Sequence, residues 1–206
     1  QTIPKSVVIS TEGAPGMHRT NYHPMPHNLF IYPQELIDSN KAEVSKTDGF
    51  FVKPTTVTPL AGTAITKVAL KFSQGAKPNW TWDAATSLWL RDDGKKPHMA
   101  ISGKQLSATS LVVIRATETD AGYKGSTGGY VPRTVVTGSG SGYLIIGDTM
   151  TEITWNKADD VSQMKLTDAA GNTVHPAPGK TWVEIITTSG DVTFTPKVAP
   201  SASSTP

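Results

Sequence analysis

The chain has 206 residues, room for one large domain or two small ones, with 37% hydrophobic and 17% charged side chains and a net charge of +2. That small net charge, with no basic run longer than Lys95-Lys96, excludes the electrostatic footprint of a nucleic-acid binder. The absence of cysteine excludes disulfide frameworks, thiolate zinc sites and cysteine nucleophiles, and no apolar run approaches the roughly 18 residues of a membrane span.

Thr, Ser, Gly and Pro replace the missing charge, a composition that favours short strands and turns over long helices. In chain order, Ser6–Ser10 is a β-branched run and predicts a strand. Glu12 to Pro26 is broken by Gly and Pro and reads as irregular. Pro33 opens a predicted helix near residues 33–45. Proline suits a first turn, Glu35 suits the positive dipole end, and Leu36, Ile37 and Val44 share a face. Asp48-Gly49 closes that helix, with Ser39-Asn40 as an earlier stop.

From Phe50 the period falls to two. Val68, Leu70 and Phe72 alternate with polar neighbours, which predicts a half-buried strand. NWTW and SLWLR flank Asp83-Ala84-Ala85-Thr86 as a hairpin, and Ser110–Ala116 is a continuous apolar run expected to be a central strand. Residues 120–132 read as a long Gly-rich loop. Segments 133–137, 143–147, 151–155, 163–167, 181–187 and 192–195 supply six more strands. Their spacing predicts a mainly β protein, α+β overall: an antiparallel, sandwich-like C-terminal body with one short helix near the N-terminus. The expected division is an N-terminal piece (1–55), a connector near 50–66, a β-rich domain (64–196) and a Ser/Pro/Thr tail (197–206). A start at Gln1 rather than Met leads us to expect a processed or truncated product.

Several stretches, in order, carry a resemblance: residues 13–36 (GAPGMHRTNYHPMPHNLFIYPQEL), 81–114 (TWDAATSLWLRDDGKKPHMAISGKQLSATSLVVI), 138–143 (GSGSGY), Ile153-Thr154-Trp155 and 178–186 (PGKTWVEII). Over roughly residues 7–187 the chain resembles the YerB-like bacterial lipoproteins, a family of unknown function. The resemblance implies an exported or envelope-attached protein with an α/β N-terminal region, of which 1–55 is the remnant, and a β-rich C-terminal domain. It also implies an absent upstream half. Two departures stand out: that absence, and Ala100 where an acidic residue often follows the Pro-His pair.

Candidate sites are few. His18, His23 and His27 crowd one loop, yet their spacing matches no metal-ligand motif, so no metal and no cofactor is expected. Arg19, His27 and Asn28 form one candidate binding set, although His and Asn at turns more often tie down backbone. Trp80, Trp82 and Trp89 on the hairpin could form a sugar-stacking platform; the simpler reading buries them, with Trp155 and Trp182, in the core. His98 completes the candidates. No nucleophile elbow or P-loop occurs, and Asp92-Asp93 and Asp159-Asp160 read as turn formers.

The expected function is an extracytoplasmic binding or scaffolding module contacting an envelope polymer or protein, with its own missing N-terminal half or a second copy as further partners. The alternative is an envelope hydrolase or transferase completed by that missing half, to which Arg19, His27, Asn28 and His98 would contribute.

Overall fold

The computed structural model of the protein describes residues 13–39, 49–52, 54–57, 59–125, 127–187 and 189–198. The strand expected at 6–10, the later part of the predicted helix and most of the predicted tail lie outside them. The chain divides into two compact units, Gln1–Asp48 and Gly49–Pro206.

In the first unit, β1 (Met17–Arg19) pairs antiparallel with β2 (Leu29–Ile31), and α1 (Pro33–Ser39) follows. The helix begins at the proline, as the sequence predicts. The stretch read as irregular contains β1 because three-residue strands around a turn are too short to display an alternation.

The second unit opens with β3 (Thr63–Lys71), the hairpin β4 (Asn79–Asp83) and β5 (Leu88–Asp93), short β6 (Lys96–Pro97) and β7 (Ser107–Ala108), then β8 (Ser110–Arg115). There follow β9 (Thr117–Lys124), β10 (Tyr130–Val135), β11 (Gly138–Ile146), β12 (Thr149–Lys157), β13 (Lys165–Thr167), β14 (Thr173–Val174), β15 (Thr181–Ile186) and β16 (Asp191–Pro196). Except for the β9–β10 ribbon, these join one curled sheet of twelve strands, whose main path runs β15-β8-β11-β12-β3-β4-β5-β6.

The protein is therefore mainly β, with two corrections to the sequence reading. The expected loop at 120–132 is mostly strand, because β9 and β10 form an exposed two-stranded ribbon without an apolar face to betray it. The sheet is mixed rather than wholly antiparallel, since β15 lies parallel to β8. Strands separated by 65 intervening residues can meet in either direction, and local turn signals do not fix which.

β8 explains its own sequence. Ser110 through Ile114 are all buried. Leu111 and Val113 join one cluster with Ile65, Val68, Trp80, Trp89 and Ile145, while Val112 and Ile114 join a second with Leu144, Trp155 and Leu166. A strand covered on both faces needs an unbroken apolar run. Phe51 and Leu60, in the segment expected as a connector, pack against the second cluster. The GSGSG run is β11, and its glycines are a packing requirement: a Cβ on Gly142 would lie 2.4 Å from the Val113 carbonyl oxygen, and one on Gly140 would lie 2.7 Å from the Trp155 ring nitrogen.

Two predictions follow from this packing. Ile145→Ala should cost about 2–5 kcal/mol in denaturant unfolding, against less than ~0.5 kcal/mol for exposed Val161→Ala, and equal costs would contradict a core at Ile145. Asp83, Asp159 and Asp168 cap turns, and hydrogen bonds from Thr86, Ser162 and Asn172 respectively hold their carboxyls below the ordinary value of 3.8. A depressed carboxyl contributes stability above its unfolded value and loses it as pH falls through the lower folded value. Replacing all three by Asn should therefore flatten the fall in melting temperature below about pH 4, and an unchanged acid limb would contradict this.

Candidate functional site

In the first unit, Arg19 Nη1 donates to Asn28 Oδ1 at 2.6 Å, and Asn28 Nδ2 donates to the Thr20 carbonyl at 3.1 Å. The pair locks the mouth of the β1–β2 turn, where the Thr20 amide also donates to the Asn28 carbonyl. His27 donates its amide to the Pro24 carbonyl, and its side chain is exposed. His18 pairs with Glu35 at 2.5 Å, and His23 stacks on Phe30. The three histidines thus have separate surroundings, and no cluster of three or more metal-ligating side chains occurs among the described residues.

The hairpin tryptophans of the second unit are not an open platform. Trp80 and Trp89 are fully buried and Trp82 packs partly buried against the same cluster, its ring tilted at 50° to that of Trp89 with the centres 5.5 Å apart. Their indole N–H groups are satisfied internally, Trp80 by Glu184 Oε1 at 2.8 Å and Trp89 by the Gly147 carbonyl at 2.8 Å. Buried rings cannot stack on a sugar.

Glu184 is the organising group here. Its side chain, on β15, is 6% exposed, and Arg91 Nε from β5 lies 3.5 Å away, an ion pair without a well-aligned hydrogen bond. The Arg91 guanidinium sits 5.8 Å from the Trp80 ring centre and 5.1 Å from that of Trp182, within cation–π range of both. Arg91 Nη1 also contacts His98 Nδ1. Gln105 Nε2 donates to the Arg91 carbonyl at 2.9 Å and to Asp92 Oδ1 at 3.0 Å.

Beside this network lies a cleft of about 400 Å³ with walls from two distant stretches, residues 100–108 and 180–182. Ser102, Lys104, Gln105, Lys180, Thr181 and Trp182 line it, and among the described residues no carboxylate does. The first wall is a tight turn in which the Ala100 amide donates to the Lys104 carbonyl and Gly103 takes a positive φ of 77°. The second is entered through Gly179. A Cβ there would lie 2.4 Å from Thr109 Oγ1, and φ is +115°, so only glycine lets the chain pass. The Lys180 carbonyl accepts from the Thr109 amide at 2.8 Å, which fixes the start of β15 against β8.

Of the sequence candidates, His98 belongs to the network behind this cleft, and Trp80 supports it from the core. Lys104, Lys180 and Trp182 escaped the sequence reading. Trp182 was taken as core, and it does pack on the core, but it also forms part of the cleft wall. A second cleft, of about 420 Å³ and mainly apolar, lies around Phe50, Val52 and Pro176–Gly179.

Comparison with known proteins gives two likenesses. The profile of the C-terminal domain of a protein family of unknown function, DUF3048, matches residues 68–183. The fold is similar to the crystal structure of the YerB protein from Bacillus subtilis, with a TM-score of 0.61 and 14% sequence identity over 86% of this chain and 59% of that one. The chain thus spans about 59% of the length of that structure, and the likeness is one of fold. No curated protein matches the sequence.

The buried pair makes a sharp prediction. Arg91→Met keeps the stem but strands the Glu184 carboxylate, and it should cost about 3–5 kcal/mol. Adding Glu184→Gln, which can still accept from Trp80, should restore most of that loss. A double variant whose cost is the sum of the two single costs would show that the groups do not depend on one another.

Proposed function

Since the chain belongs to the DUF3048 family, through that family's C-terminal domain, we propose that its β-rich unit is an extracytoplasmic binding module that holds a cell-envelope polymer or protein in the cleft around Lys104, Lys180 and Trp182. The observation that carries this reading is the composition of the cleft. Its walls offer an aromatic ring, hydroxyls and ammonium groups, the means of holding and orienting a ligand. Among the described residues, no imidazole or carboxylate lines the cleft to activate the hydroxyls of Ser102, Ser107 or Thr181. Glu184 and Arg91, the charged groups behind the wall, are occupied with each other and with the tryptophans. The envelope address is supported by the resemblance of the sequence to the YerB-like lipoproteins.

The protein should co-sediment with isolated bacterial cell-wall material without releasing soluble sugar or peptide from it. Trp182→Ala should weaken retention about tenfold, equivalent to ~1.4 kcal/mol, with a cooperative melt confirming that the variant is folded. Protein left in the supernatant would count against binding, and steady release of soluble fragments would favour an enzyme.

A further inference from the structure

Resting on that binding reading, we infer that the ligand of the Lys104–Lys180 cleft is an anionic envelope polymer, carrying phosphodiester or carboxylate groups along a chain of polyol or sugar units. The charge of the lining decides the sign. Two lysines line the cleft from its two walls, Lys104 on the 100–104 turn and Lys180 at the entry to β15, with no carboxylate lining it among the described residues. Neither lysine's ammonium group has an ion pair or hydrogen-bond partner among the described residues, whereas that of Lys157 is engaged by the Asp159 carbonyl and that of Lys197 by Asp148. Glu184 is ion-paired with Arg91 behind the wall, and Asp92, which keeps its charge, is turned to the Gln105 amide and does not line the cleft.

The remaining lining decides the class. Trp182 offers an apolar surface of the kind on which a sugar or polyol ring lies, and its position is set by the Arg91 guanidinium and by an edge-type contact with Trp80, ring centres 5.3 Å apart. Ser102, Ser107 and Thr181 add hydroxyls that both donate and accept, matching a hydroxylated backbone between the charges. An ammonium is a point charge without the fork of arginine, so the lysines do not select phosphate over carboxylate by geometry. A cleft this open, with charge at both walls, suits a chain passing through it better than an enclosed small molecule. A nucleic acid shares the anionic backbone, but the net charge of +2 and the lack of any basic run beyond two residues give it no track to follow.

The test is a titration of the whole chain, read by tryptophan fluorescence, with poly(glycerol phosphate), polygalacturonate, neutral chitohexaose and a single-stranded oligonucleotide. One of the two polyanions, or both, should bind, with affinity falling as salt rises, while chitohexaose and the oligonucleotide bind at least tenfold more weakly. The preferred polyanion distinguishes phosphodiester from carboxylate. Lys104→Ala with Lys180→Ala should weaken polyanion binding at least tenfold. Exposed Lys71→Ala with Lys165→Ala should leave it within twofold, which separates the cleft from general surface charge. Equal loss in the two double variants, equal binding of the oligonucleotide, or tight chitohexaose binding indifferent to Lys104 and Lys180 would overturn the inference. Retention on cell-wall material that survives loss of both lysines would overturn it while leaving the binding reading in place. Polyanion binding through the lysines without such retention would do the reverse.

Discussion

A buried carboxylate sets the terms for the second unit. Glu184 sits on β15, a strand that reaches the sheet only at the end of a long excursion and lies parallel to β8. Placing a charge there is costly unless it is paired and hydrogen-bonded. Arg91 and the Trp80 indole supply both, and they come from the β4–β5 hairpin, about a hundred residues earlier. The requirement therefore ties the late strand to the early hairpin in one register. Trp182, two residues before Glu184 and on the same side of the strand, is brought against Arg91 and faces the cleft as a consequence. The cleft exists because its two walls are held by this network and by the Thr109–Lys180 contacts beneath them.

On the proposed reading, stabilising and binding roles are divided between neighbouring residues. The hairpin that looked like a candidate platform spends its aromatic area on the core, where fully buried Trp80 and Trp89 contribute the largest side chains. The surface left for a ligand comes from short connecting segments that carry little core: the 100–104 turn and the entry to β15. Binding groups on connections positioned by a rigid sheet are a common arrangement, because such segments can vary without disturbing the packing.

Much of the architecture could be read from residue patterns. The alternation in Val68, Leu70 and Phe72, the hairpin around Asp83–Thr86 and the apolar run of β8 each declared a strand through local chemistry. Pairing direction and the β9–β10 ribbon could not be read, since an exposed ribbon has no buried face and a parallel partner depends on distant chain. The site was less legible. Glu184 looks like any acidic residue in an alternating strand, and only its contacts reveal that it is buried with Arg91. Lys104 and Lys180 are 76 positions apart, and the one signal that could have joined them was the resemblance itself, whose PHMAISGKQL and PGKTW stretches supply the two walls. Family membership agrees with the fold and adds no ligand, so the chemistry has to be argued from the cleft.

The place where a polyanion touches the folded chain is the decisive observation. Amide and indole chemical shifts of the isotopically labelled protein, followed during titration with a short poly(glycerol phosphate) chain, locate that contact directly. Shifts concentrated in residues 100–108 and 180–182, including the Trp182 indole N–H, are the predicted result. Shifts centred on the apolar cleft at Phe50, Phe51, Val52 and Pro54, or scattered evenly over the exposed lysines, would contradict it.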